Sequence, residues 1–136
     1  MILITGGKYQ GRLKCALEIS DYTGDDVFDF AKLDSIEYVS KNIDYKNKKV
    51  WYNLQEYVRS LANNEIESVQ IEMMVKKIVS NCNPEIIIVA EVGAGVIPMN
   101  KKDNLFREAS GRLSAFYAGE ADEVYRVICG LKTKLK

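Results

Sequence analysis

The fold is decided by the run Glu85-Ile86-Ile87-Ile88-Val89-Ala90. A continuous stretch of β-branched residues is typical of a strand that is covered on both faces, as central strands of parallel sheets are. Asn83-Pro84 comes before the run and ends a helical pattern, and a loop containing glycine and proline, Glu91 to Asp103, follows it. We therefore predict a central parallel strand at 85–90, between two helices.

Strand and helix patterns alternate on both sides of this run. The short apolar stretch Ile2–Thr5 predicts a first strand, helical spacing begins near Gly11, and Val27–Phe30 predicts a short strand. Strands that alternate with helices predict an α/β layer fold. Apolar residues at helical spacing mark three further helices: Val50, Leu54, Tyr57, Val58 and Leu61; then Ile71, Met74, Val75, Ile78, Val79 and Cys82; and last Leu105, Ala109, Leu113, Phe116 and Tyr117.

The end of the chain predicts two more strands. Val124–Cys129 has the pattern of a last core strand. The tail at 131–136 alternates apolar and polar residues, which predicts an edge strand with one covered face and one solvent-exposed face. The pattern at 33–45 stays ambiguous, with Ile36 and Val39 spaced as in a short helix that faces a core.

Composition narrows the possible functions. With 136 residues, 47% apolar and 28% charged, the chain is expected to form one globular domain, 1–136. The 19 basic and 19 acidic side chains cancel, so we expect neither nucleic acid nor a membrane as a binding partner. The sequence has no histidine, which excludes Ser-His-Asp and Cys-His relays and any His-ligated metal. Chemistry must then come from carboxylates, Lys or Arg, hydroxyls, backbone amides or a bound cofactor.

The cysteines and the N-terminus indicate a cellular compartment. Cys15, Cys82 and Cys129 are scattered and form no C-x-x-C pair, so we expect neither a metal site nor a disulfide framework. Buried free thiols in a reducing compartment are the expectation. The apolar start, Met1–Thr5, is too short for a signal-peptide core or a membrane span. We therefore expect a cytoplasmic protein.

The first candidate site is the turn between the first strand and the first helix. Gly6 and Gly11 have the spacing of the phosphate loop G-x-x-x-x-G-K-[ST], in which backbone N–H groups surround a phosphate. Arg12 stands where that motif has its lysine, and a guanidinium also binds phosphate. Leu13 stands where the motif has a hydroxyl, and it has no atom that coordinates Mg²⁺. The residues leave two interpretations open, a phosphate site and a structural glycine turn.

The second candidate is Glu91, which directly follows the central strand. Ligands of open α/β sheets gather at the carboxyl ends of strands, where a carboxylate is placed to hold a metal ion or a hydroxyl. The alternative is a solvated loop acid. Arg107 and Arg112 lie five residues apart on the next predicted helix and do not share a tight face. Either arginine reaches a phosphate only if that helix begins at the same edge of the sheet.

Several runs carry a resemblance to a known family, and they lie in the opening residues and from Glu85 onward. They are Ile2-Leu3-Ile4-Thr5-Gly6-Gly7, Glu91-Val92-Gly93-Ala94-Gly95-Val96-Ile97-Pro98, Phe106-Arg107-Glu108-Ala109-Ser110-Gly111-Arg112-Leu113, Ala121-Asp122-Glu123-Val124, and Val127-Ile128-Cys129-Gly130-Leu131-Lys132-Thr133-Lys134-Leu135-Lys136. On these runs the sequence resembles the adenosylcobinamide kinase/adenosylcobinamide-phosphate guanylyltransferase family. The middle, Tyr22 to Ser80, shows no convincing match.

The resemblance implies a fold and an activity. The fold is a three-layer, P-loop NTPase-like α/β domain with a mainly parallel sheet and an antiparallel C-terminal edge strand. The activity belongs to cobalamin biosynthesis and corrinoid salvage: a nucleoside triphosphate phosphorylates the aminopropanol arm of adenosylcobinamide, and GMP is then transferred from GTP through a guanylylated histidine. Because this chain has no histidine, that covalent route is excluded for it.

The resemblance also suggests site residues. Glu91 matches the acid of the family's Asn-Glu-Val-Gly motif, with Ala90 in place of the asparagine, and is expected to hold Mg²⁺ or the acceptor hydroxyl. The expected cofactor is ATP or GTP with Mg²⁺, and the expected partners are a nucleotide, a corrinoid and further copies of the chain. Nucleotide binding is assigned to Gly6, Gly7, Lys8, Gly11, Arg12, Arg107 and Arg112.

Three functions stay open at this stage. The first is a kinase-type transferase with an unusual phosphate loop. The second is a non-catalytic relative that binds a nucleotide or a corrinoid as a regulatory or partner subunit. The third is an oligomeric scaffold that binds no ligand.

Overall fold

The computed structural model of the chain describes residues 1–32, 44–92 and 100–136. Within these residues one sheet has six strands, in the spatial order β2-β3-β4-β1-β5-β6. All neighbouring strands are parallel except the last pair, β5 and β6, which is antiparallel. The strands are β1 (Ile2–Gly6), β2 (Val27–Asp29), β3 (Val50–Tyr52), β4 (Ile86–Ile88), β5 (Glu123–Ile128) and β6 (Leu131–Lys134).

Helices cover both faces of the sheet. The described helices are α1 (Arg12–Glu18), α2 (Leu54–Asn63), α3 (Ser68–Cys82) and α4 (Lys101–Glu120). Helices α2, α3 and α4 pack together on one face, whereas α1 packs against β1 and β4 on the other. This three-layer arrangement confirms the predicted α/β fold with its mainly parallel sheet and its antiparallel C-terminal edge strand.

Strand β4 lies at the centre of the fold, hydrogen-bonded to β1 on one side and to β3 on the other. Its three isoleucines are each 1% exposed or less. Ile87 belongs to the core under α2–α4, and Ile86 and Ile88 belong to the core under α1, as the alternation of side chains along a strand requires. The prediction of a central strand covered on both faces is confirmed.

One helix boundary was predicted wrongly. Val50 was placed at the start of a helical stripe, but it lies in β3, and α2 begins only at Leu54. Asn53 joins the two elements in a left-handed conformation, with φ of 59°. The four-residue spacing of Val50 and Leu54 imitates a helix turn, and a strand of three residues is too short to show its own alternation.

The predicted cover of the C-terminal strand is also wrong. All four residues of β6 are exposed, and Leu131 is 74% exposed, because the strand lies at the sheet edge beyond both helical layers of the described chain. One further burial prediction fails: Cys129 was expected to be a buried thiol, and it lies in the exposed turn before β6. Cys15 is buried as expected, and Cys82 is half-buried.

Two findings concern other predictions from the sequence. Among the described residues, no helix has the length and apolarity needed to cross a membrane. Ile36 and Val39, which fit a short helix by their spacing, lie outside the described residues.

Gly6 is required by the close approach of β1 to β5. Its φ of +142° is rarely adopted by L side chains, and a Cβ built on it would lie 2.3 Å from the carbonyl oxygen of Val127. We expect Gly6→Ala to lower the free energy of unfolding by about 1–3 kcal/mol, since backbone atoms must shift to admit the methyl group. Urea denaturation followed by circular dichroism measures this change.

Gly24→Ala is the matched control. A Cβ at Gly24 meets nothing within 4 Å, and its φ is not positive. We expect a change within about 0.5 kcal/mol of the parent. Equal stabilities for the two variants would show that the contact between Gly6 and Val127 does not constrain the sheet.

Candidate functional site

The carboxyl ends of the parallel strands form one polar edge of the sheet. The glycine-rich loop leaves β1 there, Glu91 follows β4, and Arg126 lies on β5 in register with Thr5. Such an edge is where open α/β sheets bind ligands. It contains a cleft of about 190 Å³ that is lined by Lys8, Gln55, Glu56, Arg59, Ala90, Glu91, Val92 and Phe106.

The glycine-rich loop is tied to the turn between β5 and β6. The side-chain oxygen of Gln10 accepts a hydrogen bond of 2.6 Å from the backbone N–H of Cys129, and the Gln10 carbonyl accepts one of 2.9 Å from the N–H of Gly130. Gly11 has a φ of +88° just before α1, and Tyr9 projects fully exposed from the loop with a φ of 60°. The turn at Cys129 and Gly130 therefore holds the loop through Gln10, which the sequence did not indicate as a structural residue.

Arg12 is buried beside the cleft. Only 3% of the residue is exposed, and its Nη1 has no hydrogen-bond partner among the described residues. The guanidinium carbon lies 5.7 Å from the centre of the Tyr52 ring. Burial lowers the pKa of Arg12, while Tyr52, Glu56 and Glu91 act in the opposite direction through their charges. The positive charge of Arg12 therefore lies close to Glu56 and Glu91, and its Nη1 can still donate a hydrogen bond.

Glu91 is held by Arg126 in a two-point ion pair. Nε of Arg126 lies 2.6 Å from one carboxylate oxygen of Glu91, and Nη2 of Arg126 lies 2.9 Å from the other. The hydrogen bonds from Arg126 are the main cause of a lowered pKa at Glu91. The backbone N–H of Glu91 also donates to the Gly6 carbonyl at 3.0 Å. Arg126 was missed in the sequence, although a charged residue within the predicted core strand was a signal.

The opposite wall of the cleft comes from α2, which follows β3. Gln55 is buried, and its side-chain oxygen accepts a hydrogen bond of 3.0 Å from the Ala90 N–H. Glu56 pairs with Lys8 at 3.4 Å. Arg59 stacks 3.7 Å from the centre of the Phe106 ring. Gln55 and Arg59 were missed because the strand before α2 was not recognised, so nothing placed the start of this helix at the ligand edge.

The arginines of α4 occupy different surroundings. Arg112 pairs with Glu108 at 2.9 Å and approaches Glu72 of α3 at 3.9 Å, and neither acid lines the cleft. Arg107 is half-buried and directly follows Phe106, which lines the cleft. The structure therefore brings Lys8 and Glu91 into the cleft and Arg12 beside it, and it does not bring Arg112 there. The predicted loop residues Gly93, Gly95 and Pro98 lie outside the described residues.

The carboxylates around the cleft do not suit a magnesium ion. Glu56, Glu91 and Asp103 are paired with Lys8, Arg126 and Arg59 respectively. Mg²⁺ requires oxygen ligands in near-octahedral geometry, usually including a carboxylate that is free to coordinate it. No cluster of three or more His, Cys, Asp or Glu able to hold a metal ion occurs in the described ranges. The residues present therefore do not fit Mg²⁺.

The balance of charge favours an anion instead. Among the described residues, Lys8, Arg12, Arg59 and Arg126 provide four cations in or beside the cleft, against the three carboxylates of Glu56, Glu91 and Asp103. A cleft of about 190 Å³ is smaller than the roughly 300–1,000 Å³ of sites that enclose a whole small molecule. It is suited to a charged group such as phosphate, with the remainder of a ligand outside.

A three-layer fold with a mainly parallel sheet, a glycine-rich loop after β1 and a polar cleft at the carboxyl edge is that of the open-sheet α/β proteins that bind ligands at this edge. Comparison with known proteins gives the family. The family described as cobinamide kinase / cobinamide phosphate guanyltransferase matches residues 29–135, and the chain belongs to it. The resemblance seen in the sequence is thereby confirmed. The matched range also includes most of 22–80, where short motifs had given no convincing match, and it begins after the glycine-rich loop.

Two curated relatives match a shorter stretch. The bifunctional adenosylcobalamin biosynthesis protein CobU of Salmonella typhimurium is 38% identical over 56 residues, and the Escherichia coli K12 protein of the same name is 34% identical over 56 residues. In both cases the match covers 40% of this chain and 31% of the relative. The chain is thus matched to about a third of the length of these curated relatives.

The ion pair between Glu91 and Arg126 predicts a pH dependence of stability. The folded pKa of Glu91 lies below its ordinary value of 4.5. The pair therefore stabilises the fold above pH 4.5, and this contribution is lost as the pH falls through the folded pKa. We expect Arg126→Gln to be less stable than the parent at pH 7, with a difference that shrinks below pH 4.5. Urea denaturation at several pH values measures it.

Lys134→Gln is a comparison, because it removes the cation of another surface ion pair, with Glu123 at the opposite end of β5, without touching Glu91. A stability gap between the parent and Arg126→Gln that stays constant down to full protonation of Glu91 would contradict the predicted role of this pair.

Proposed function

We propose that the chain is a phosphate-binding member of its family that takes a nucleotide, with a phosphorylated corrinoid as the second ligand class. The observation that carries the proposal is the buried guanidinium of Arg12, which lies beside the cleft with Nη1 unpaired among the described residues. Family membership supports the choice of ligands. The proposal treats residues 1–136 as one domain.

Arg12 is costly to bury unless a ligand completes its hydrogen bonds. A buried charge without its hydrogen bonds destabilises a protein, and a hydrogen bond between charged groups is worth about 1.5–3 kcal/mol. A phosphate oxygen would supply the missing acceptor and a compensating charge. Lys8, whose side chain is 62% exposed on the loop, is positioned to contribute a second, movable cation.

We propose that the chain binds its ligand and does not catalyse phosphoryl transfer. The guanylyl-transfer route through a histidine is excluded by the sequence, which has none. Phosphoryl transfer depends on positioned groups that are free to act on the attacking hydroxyl. Glu91, the acid assigned to that role, has both oxygens engaged by Arg126. A nucleotide-binding regulatory or partner subunit therefore fits these contacts better than an active kinase does.

Isothermal titration calorimetry with ATP and with GTP tests the proposal. We expect both the parent and Arg12→Lys to bind, whereas Arg12→Met should lose about tenfold or more in affinity because the charged hydrogen bond is removed. Lys77→Met is the control, because Lys77 lies exposed on α3 and α3 contributes no residue to the cleft. Circular dichroism of each variant establishes that it is folded.

Two outcomes would contradict the proposal. One is that neither nucleotide binds the parent at millimolar concentration. The other is that Arg12→Met binds as tightly as the parent, which would move the phosphate away from the loop.

A second candidate function, an oligomeric scaffold, is favoured by the exposed edge of the sheet. Ile128, Leu131 and Leu135 are 50%, 74% and 59% exposed. Pairing of Ile128 with Leu131 and the alternation along the strand put these side chains on one face. Clustered apolar side chains beside an unpaired strand edge are typical of a surface that docks another chain. A homo-oligomer, which the resemblance implied, would cover them.

Light scattering after size-exclusion chromatography tests this candidate. We expect the parent to elute as an oligomer and Leu131→Glu to shift towards the monomer, since a charge at the centre of an apolar contact opposes its burial. Lys132→Glu changes a neighbouring side chain on the opposite face and is expected to leave the assembly intact. A monomeric parent at all concentrations would rule out the scaffold.

A further inference from the structure

We propose that the cleft binds its phosphorylated ligand without a divalent cation, because fixed arginine side chains supply the positive charge that a metal would bring. This inference rests on the proposed phosphate binding and deepens it, by specifying the ionic form of the ligand.

The carboxylates near the cleft are already paired with basic side chains. Glu91 occupies the place after the central strand where an acid is expected to meet a metal, but both of its oxygens are taken by Arg126 at 2.6 Å and 2.9 Å. Glu56 faces Lys8, and Asp103 faces Arg59 at 2.8 Å. A divalent ion would have to displace Arg126 to reach either oxygen of Glu91, and at Glu56 and Asp103 it would meet the charge of the lysine or arginine that already contacts one oxygen of each.

The glycine-rich loop also differs from a phosphate loop at the position that binds Mg²⁺. In phosphate loops the residue after the lysine supplies a hydroxyl to Mg²⁺. Leu13 stands at that position and packs partly buried in the core under α1. Hard cations take oxygen ligands, and the leucine side chain has none. The loop therefore provides no side-chain oxygen at the position where a phosphate loop coordinates Mg²⁺.

The cleft already has positive charge close to its acids. Arg12 is 3% exposed, so its guanidinium is fixed in place and poorly screened by solvent. Glu56 and Glu91 are close enough for their charges to act on it. A cation that approached these acids would meet the repulsion of Arg12 as well as of Lys8 and Arg126. The same charges attract a phosphate, and most strongly one that no metal has partly neutralised.

Two forms of ATP separate this mechanism from a metal-dependent one. Free ATP carries more negative charge than its magnesium complex, so a site built from basic side chains binds the free form at least as tightly. Calorimetric titration of the parent with ATP in EDTA, and again in excess Mg²⁺, measures the ratio. We expect the affinity in EDTA to equal or exceed the affinity in Mg²⁺, by up to about tenfold.

A double variant provides the matched comparison. Leu13→Ser with Arg126→Gln restores a hydroxyl to the loop and releases both oxygens of Glu91. We expect Mg²⁺ to strengthen ATP binding by this variant, or at least to reverse the preference for the free form. Circular dichroism checks that the variant folds, and Leu13→Ser alone serves where the double change does not.

The outcomes are distinct. If Mg²⁺ strengthens ATP binding by the parent beyond the error of the titration, the inference is overturned and phosphate binding stands. If the parent binds ATP in neither condition, the proposed function fails, and this inference fails with it. Binding in EDTA that Mg²⁺ leaves unchanged or weakens supports both.

Discussion

The parallel pairing of β4 with β1 and β3 is the constraint on which the rest of the structure depends. Three buried isoleucines fill the two cores from one strand, Ile87 towards α2–α4 and its neighbours towards α1. Their burial requires helices on both faces, which parallel connections supply. The same pairing aligns the strand ends, so the glycine-rich loop, Glu91 and the start of α2 meet at one edge. Core and cleft thus have a common origin.

The cleft is lined by a network of ion pairs in which, among the described residues, the basic side chains exceed the acidic ones by one. Each carboxylate near it has a basic partner, and the buried Arg12 is the group left with an unused donor. These ion pairs are partly exposed to solvent, so each contributes modestly to stability, and the two-point pair of Arg126 with Glu91 has the most favourable geometry. In the proposed function, a phosphate oxygen of the ligand accepts a hydrogen bond from Nη1 of Arg12, which has no partner among the described residues.

Much of this architecture was predictable from the sequence, and the exceptions have identifiable causes. The strand Ile86–Ile88 is indicated by a continuous apolar run, and the long helix α4 is indicated by apolar residues at uninterrupted helical spacing. Strand β3 was missed because it has only three residues directly before a helix, and they happen to continue the spacing of the apolar residues of that helix. The exposure of Leu131 was missed because alternation describes two faces of a strand but not whether a layer lies against either of them. Short motifs found the family, and the family match adds the middle of the chain from residue 29 but does not include the motif at Ile2–Gly7.

The sequence by itself determined the α/β class, the glycine-rich turn after β1, the acid after the central strand, and the absence of histidine chemistry. These are properties of local pattern and of composition. Only the tertiary structure decided that Glu91 is held by Arg126, that Arg12 is buried without a partner among the described residues, and that Arg112 turns away from the cleft. Glu91 and Arg126 stand 35 positions apart, and no local spacing relates them. Contacts at that distance follow from strand order and helix packing, so the chemistry of the site was settled by the fold.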